Sequence, residues 1–223
     1  MKTAALIPAY NESRTIDTVI EGVRPSVDHI LVVDDGSTDA TSQLAHNAGA
    51  EVIRLPSNGG KGIAVRAGLA HVLQSSFTHV LLIDGDLQHR PEEAAALLAA
   101  AVRTNADLVV GERQFHRESM PPNRYWANRI GSLALSSFVG TPINDTQCGF
   151  RVCRIDLLRR LRLRARGYEI ETEMLIKLLR LGASVVTVPI TAVYAGTPSK
   201  LRPVRDTTKT CFLAVYYRYL ERL

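Results

Sequence analysis

Within about the first 110 residues, short apolar runs alternate five times with turn-forming polar stretches and helical patterns. The spacing predicts strands over 3–8, 29–33, 51–55, 79–84 and 107–110, and helices over 14–23 and 40–48, from the 56–62 loop to about 74, and over 94–102. Ile16, Val19, Ile20 and Val23 keep the spacing of one buried helix face. Continuous apolar runs suit strands covered on both faces. Strands alternating with helices are the pattern of a parallel sheet with right-handed crossovers, an α/β architecture.

In open parallel sheets, ligands lie beyond the carboxyl ends of the strands. Two of these strands run into aspartates there. Val80-Leu81-Leu82-Ile83 leads into Asp84-Gly85-Asp86-Leu87-Gln88-His89, and Ile30–Val33 leads into Asp34-Asp35-Gly36-Ser37-Thr38-Asp39. Two carboxylates and the Gln88 amide suit a hard divalent cation, Mg²⁺ or Mn²⁺. The other reading is that Asp84 caps the next element and Asp86 is solvated, since Asp also serves turns and caps. Ser37 or Thr38 is expected to cap the helix over 40–48. Asn58-Gly59-Gly60-Lys61-Gly62 suggests backbone close to a phosphate, or a tight helix start. It is not a Walker loop, and no Gly-x-Gly-x-x-Gly follows the first strand, so a dinucleotide Rossmann site is excluded.

The second half is less regular. A helix is expected over 125–138, carrying Arg129 and Ser132, then a polar turn over 144–151 and a short strand over 150–153. The arginine run 159–166 reads as a solvated helix face. Tyr168-Glu169-Ile170-Glu171-Thr172-Glu173 enters a helix that Gly182 closes, and a strand follows over 184–189. The loop 196–202 has basic tips. Residues 206–223 form an amphipathic pattern rich in Tyr, suited either to a membrane surface or to packing on the domain.

A chain of 223 residues fits one large domain, or one domain with a tail. Net charge is +5, unevenly placed: residues 1–150 hold 12 Lys/Arg against 16 Asp/Glu, and residues 151–223 hold 15 against 6. A basic last third points to an anionic partner, with a solvated basic face as the alternative. Cys148, Cys153 and Cys211 show no metal or disulfide spacing, which suggests reduced thiols in a cytosolic setting. No signal-peptide layout opens the chain, and no stretch approaches the roughly 18 apolar residues of a membrane span.

Six stretches together resemble one family. Ile7-Pro8-Ala9-Tyr10-Asn11-Glu12, Asp34-Asp35-Gly36-Ser37-Thr38-Asp39, Asn58-Gly59-Gly60-Lys61-Gly62, Asp84-Gly85-Asp86-Leu87-Gln88-His89, Gly111-Glu112-Arg113 and Cys148-Gly149-Phe150-Arg151 occur in family order over nearly the whole chain. They resemble the dolichol-phosphate mannose synthase branch of the family-two inverting glycosyltransferases. Tyr168–Glu171 and Ser199-Lys200-Leu201-Arg202 are similar to that branch as well. The resemblance implies the GT-A (nucleotide-diphospho-sugar transferase) fold, an α/β fold with a mostly parallel sheet. Residues 1–205 would be catalytic, with a nucleotide-sugar half over 1–112 and an acceptor half over 113–205, followed by the 206–223 helix.

The resemblance also implies roles. Pro8, Tyr10 and Glu12 would line the nucleotide pocket, with Asp35 near base or ribose and Lys61 by the nucleotide end of the donor. Asp84, Asp86 and Gln88 would hold Mg²⁺ or Mn²⁺ on the donor pyrophosphate. Arg113, Arg129 and Ser132 would meet the acceptor phosphate, with Lys200 and Arg202 closing over phosphates.

The chemistry agrees with those roles. A divalent cation and cationic side chains stabilise a leaving diphosphate. A hydroxyl acceptor needs a general base, for which Asp145 is the candidate. A phosphate acceptor needs little or no base and is held by arginines. The expected partners are therefore a nucleotide-diphosphate sugar, GDP-mannose or a UDP-sugar, and a lipid phosphate; no nucleic acid is expected. Many members of that branch carry transmembrane helices after the catalytic domain, and none is legible here. The expected place is cytoplasmic, peripheral on the membrane through the last helix, or with a soluble acceptor. A haloacid-dehalogenase-like phosphatase fits less well, because Leu87 follows the second Asp and Pro8 sits on the first strand. A basic membrane- or nucleic-acid-binding module explains the charge of the last third but not the acidic strand ends.

Overall fold

In the computed structural model, residues 1–113, 145 and 148–191 are described. Arg129, Ser132, Lys200, Arg202, Cys211 and the pattern over 206–223 lie outside the described residues.

The described chain runs β1 (Thr3–Ala9), α1 (Ile16–Val23), β2 (His29–Asp34), α2 (Thr41–Asn47), β3 (Glu51–Arg54), α3 (Lys61–Val72), β4 (His79–Leu82), α4 (Ala94–Thr104), β5 (Leu108–Arg113), β6 (Arg151–Arg154), α5 (Ile155–Leu158), α6 (Ile170–Arg180) and β7 (Val185–Ile190). These strands form one sheet in the order β3-β2-β1-β4-β6-β5-β7. β1 pairs in parallel with β2 and β4, β2 with β3, and β5 with β7.

The first strands are apolar because helices cover both faces. Ala4, Ala5, Leu6, Ile7, Leu31, Val32 and Val33 are fully buried, and so are all four residues of the predicted α1 face, Ile16, Val19, Ile20 and Val23. Each of these Leu, Ile and Val side chains stabilises the fold by about 1.5–3 kcal/mol relative to exposure. Gly68 lets α3 approach β1 closely: a Cβ there would meet the Leu6 side chain at 2.2 Å.

Four features add to or depart from what the sequence predicts. First, in a strand order that the sequence leaves open, the fourth and fifth strands are not neighbours. β6 lies between them, antiparallel to both. It therefore runs back from the carboxyl edge, bringing residues 148–150 to that edge. Second, β4 ends at Leu82, before Asp84. Ile83 still donates to the Leu6 carbonyl at 3.3 Å, after which Leu87, at φ +57°, turns the chain. Third, neither Ser37 nor Thr38 caps α2. The Ser37 hydroxyl accepts the Asn11 amide at 2.8 Å, and the Asp39 carboxylate takes the Thr41 amide at 3.0 Å.

Fourth, residues 161–166 of the arginine run are not helical. The buried Glu173 carboxylate accepts the Arg164 amide at 2.9 Å and the Ala165 amide at 2.7 Å. Lys177 pairs with Glu173 at 2.9 Å and donates to the Arg162 carbonyl at 2.6 Å. A carboxylate that takes two backbone amides of one segment holds that segment extended against α6.

Candidate active site

The carboxyl edge of the sheet collects the acidic loops. The loop after β1 is locked to the loop after β4, because the Thr15 hydroxyl donates to the Gly85 carbonyl at 2.6 Å. The Asn11 side chain accepts the Thr38 amide at 2.8 Å, tying the β1 loop to the β2 loop as well. Glu12 stands at the head of α1, where its carbonyl accepts the Thr15 and Ile16 amides at 3.0 Å. Pro8 is a buried β1 residue opposite Val33, and Tyr10 is half-buried at the strand's end.

Asp34 and Asp35 face inward. The Asp34 carboxylate accepts the Ser37 amide at 2.8 Å and the Ser42 hydroxyl. The Asp35 carboxylate takes the Gly59 amide at 2.9 Å on one oxygen and the Gly60 amide at 2.8 Å on the other. It thus fixes the glycine loop, a use that its expected place near base or ribose did not include.

The glycines of that loop serve a close approach of chain. A Cβ at Gly60 would meet the Arg166 carbonyl oxygen at 2.5 Å, one at Gly62 would meet the Ala165 carbonyl oxygen at 2.5 Å, and the Gly62 amide donates to Arg166 at 2.9 Å. Among the described residues the loop's amides therefore hold Asp35 and the 165–166 backbone. These contacts account for the glycines as a tight helix start.

Lys61, the first residue of α3, reaches into the acidic cluster. Its ammonium lies 2.6 Å from Asp84 Oδ1, contacts Glu171 Oε1, and sits 5.6 Å from the centre of the Tyr168 ring. Burial pulls the ammonium's pKa down, but the carboxylates of Asp84 and Glu171 outweigh this and hold it above the ordinary lysine range. Burial pushes the Asp84 carboxyl up, yet the Lys61 charge and hydrogen bond leave it below the usual carboxylate range. Among the described residues, Lys61 bonds Asp84 and not Asp86. Burial, and then the charge of Asp84, push its carboxyl up to about 6. Its Oδ1 accepts the Gln88 backbone amide at 3.0 Å.

Gly149 explains the glycine of the Cys-Gly-Phe-Arg stretch. A Cβ there would lie 2.8 Å from Asp84 Oδ2 and 3.0 Å from Lys61 Nζ. Arg151 is fully buried and bonds the Cys148 carbonyl at 3.0 Å and the Glu171 carbonyl at 2.9 Å, joining β6 to the start of α6. His89 is buried against Phe150, 5.7 Å between ring centres, and burial pulls its imidazole down to about 4, so it is neutral near pH 7.

Arg113 and Asp145, assigned separate roles from the sequence, form a two-point ion pair. Nε lies 2.5 Å from Oδ2 and Nη2 lies 2.8 Å from Oδ1. The Asp145 side chain is fully buried and that of Arg113 is mostly so. This pairing orients the guanidinium and occupies both carboxylate oxygens.

The donor set fits a divalent cation. Asp84 and Asp86 stand one residue apart at the carboxyl edge, and Lys61 is shared with a third carboxylate, Glu171, so the cluster keeps excess negative charge. No group of three or more His, Cys, Asp or Glu side chains suited to a metal occurs among the described residues. A cation here would take two carboxylates from the protein and its other ligands from elsewhere, the usual arrangement for Mg²⁺. Sequence reasoning gave Glu171, Gly149 and Arg151 no role. The Tyr168–Glu171 and Cys148–Arg151 stretches carried the signal, without the partners.

Comparison with known proteins places this site in context. The signature described as "Glycosyl transferase family 2" matches residues 4–162. The undecaprenyl-phosphate mannosyltransferase of Micrococcus luteus is 34% identical over 206 residues, covering 86% of this chain and 84% of that protein. The polyprenol monophosphomannose synthase of Mycolicibacterium smegmatis is 32% identical, covering 85% of this chain and 77% of that protein. Among solved structures, glucosyl-3-phosphoglycerate synthase from Mycobacterium tuberculosis, in complex with Mn²⁺, uridine-diphosphate and glucosyl-3-phosphoglycerate, superposes with a TM-score of 0.74. It is 24% identical, covering 97% of this chain and 79% of that chain, a likeness of fold.

Proposed function

The chain belongs to glycosyl transferase family 2, in the branch of polyprenyl-phosphate sugar transferases, and is a GT-A-fold glycosyltransferase; from that premise we propose that it moves a sugar from a nucleotide-diphosphate donor to a polyprenyl phosphate, with a divalent cation held by Asp84 and Asp86. The observation that carries this reading is the acidic pair itself. Two carboxylates face the ligand-binding edge of the sheet, and one ammonium, shared with Glu171, leaves them short of positive charge.

When bound, Mg²⁺ or Mn²⁺ would offset the charge that builds on the leaving diphosphate. The protein's own groups do the rest. Asp35 holds Gly59 and Gly60, and so sets where Lys61 enters the site. Glu12, Tyr10 and Pro8 line the β1 side, where a nucleotide would lie. Arg113, its plane set by Asp145, is the described cation placed to meet an anionic acceptor, and Gln88 is a further ligand candidate. Arg129, Ser132, Lys200 and Arg202 remain acceptor-phosphate candidates by resemblance.

The fully buried, two-point-paired Asp145 supports the phosphate acceptor over a neutral hydroxyl. A general base needs a free lone pair within reach of the hydroxyl, and both Asp145 oxygens already face Arg113. A phosphate attacks as an anion and needs no such group. Membrane contact follows only from the acceptor class; among the described residues no helix is long and apolar enough to cross a bilayer.

The test is a thermal-shift screen of UDP- and GDP-sugars with Mn²⁺ or Mg²⁺, followed by sugar transfer to extracted polyprenyl phosphate. A metal-dependent shift with one nucleotide class, and lipid-phosphate product absent from Asp86→Ala, is expected. Full transfer by Asp86→Ala, or in excess chelator, overturns the reading.

A further inference from the structure

We propose that Lys61 is a built-in counter-ion that occupies the electrostatic place of the cation at Asp84 until the donor diphosphate arrives, and that Glu171 is the seat to which its ammonium then withdraws. The inference rests on the reading that Asp84 and Asp86 hold a divalent cation.

Three observations carry it. The Lys61 ammonium already touches both carboxylates, 2.6 Å from Asp84 Oδ1 and in contact with Glu171 Oε1. Glu171 is 6% exposed, and its second oxygen, Oε2, is buried with no hydrogen-bond partner among the described residues. A buried carboxylate oxygen left open is costly unless some state of the protein fills it. Finally, Lys61 and Glu171 both line one small cavity, together with Val65, Leu82, Gly149 and Met174.

The backbone cannot swing with it. Gly60 is bonded to Asp35 and Gly62 to Arg166, so the start of α3 is pinned on both sides of Lys61. Only the four-carbon stem is free to reorient, through a few ångströms.

The consequence is coupled binding. A dication and an ammonium repel each other and compete for Asp84 Oδ1, so bare metal must first displace Lys61. A nucleotide diphosphate brings its own negative charge, which offsets that repulsion. Metal and nucleotide therefore enter together, and a bare cation is held weakly. A lysine that merely shaped the site would weaken metal binding when lost. Loss of a counter-ion strengthens it.

The experiment titrates Mn²⁺, read by electron paramagnetic resonance of the free ion, against wild type, Lys61→Met and Glu171→Gln. Each is measured alone and with UDP or GDP. Lys61→Met is expected to bind bare Mn²⁺ at least tenfold more tightly than wild type and to lose most of the enhancement by nucleotide. Glu171→Gln takes away the second seat, holds Lys61 on Asp84, and is expected to weaken bare Mn²⁺ binding at least threefold. Unchanged or weaker bare Mn²⁺ binding by Lys61→Met, with wild type still taking up Mn²⁺ beside a nucleotide, overturns the counter-ion alone. Should Lys61→Met fail to fold, Glu171→Gln decides, and equal or tighter binding there overturns the proposal. Wild type taking up no Mn²⁺ with either nucleotide overturns the metal reading and the counter-ion with it.

Discussion

Arg113 and Asp145 meet at two points, Nε to Oδ2 at 2.5 Å and Nη2 to Oδ1 at 2.8 Å, with the carboxylate fully buried. Neither residue acts alone in such a pair. The carboxylate fixes the guanidinium plane, and the guanidinium supplies the counter-charge of the buried carboxylate.

Breaking that pair is expected to harm stability and acceptor binding more than chemistry. Asp145→Ala removes the two-point counter-charge of a mostly buried cation and should lower unfolding free energy by about 3–5 kcal/mol. Asp145→Asn, which keeps one acceptor, should lose less. Its kcat should stay within about tenfold while KM for the lipid phosphate rises, since positioning and not proton removal is lost. Denaturant melts and steady-state kinetics check both. A kcat drop of many orders with the acidic limb of the pH profile gone would restore Asp145 as a base.

Gly149→Ala is expected to spare the fold and disable the site. The new Cβ would sit 2.8 Å from Asp84 Oδ2, and that carboxylate cannot retreat freely because Lys61 holds its other oxygen at 2.6 Å. A melting temperature within a few degrees of wild type is expected, with nucleotide-dependent Mn²⁺ affinity down at least tenfold. Isothermal titration and thermal melts separate the two effects.

Asp86→Asn is expected to stabilise the metal-free protein above pH 6. Its carboxyl is raised from 3.8 to about 6 in the folded state, by burial first and the charge of Asp84 second. A raised carboxyl pKa means the folded state binds the proton more tightly than the unfolded chain. The group therefore contributes stability below about pH 4 and loses it as pH rises through 6. Removing the charge should add about 1–3 kcal/mol at pH 7.5, after discounting the carboxylate's partial exposure, and little at pH 4. Chelator-treated urea melts at the two pH values measure it. The same titration makes protons compete with the cation, so Mn²⁺ affinity of wild type should fall up to about tenfold per pH unit below 6.

Glu173→Gln is expected to loosen the 162–165 backbone from α6. The carboxylate serves two amides there and the Lys177 ammonium. Losing its charge removes a counter-charge from a buried lysine, for a loss of about 3 kcal/mol. The double variant Glu173→Gln, Lys177→Met should recover part of that loss, and denaturant melts of the three proteins give the coupling.

Much of the frame was legible along the chain. Apolar runs such as Val80–Ile83 and the α1 face mark strands and a buried helix because periodicity is local and every neighbour obeys it. Asp84 and Asp86 were legible as a ligand edge for the same reason: a strand that ends in carboxylates puts them where the sheet opens. The sequence by itself therefore determined the alternating α/β frame and the acidic pair at its rim. Only the tertiary structure decided what those charges meet. β6 inserts antiparallel between β4 and β5, which sets Gly149 against Asp84 and Asp145 against Arg113 across many residues of chain. It also turned Asp35 onto the glycine loop and the arginine run onto Glu173. A carboxylate has the same local pattern whether it faces water, an amide or a cation. Its partner is chosen by long-range strand order, which no short stretch encodes.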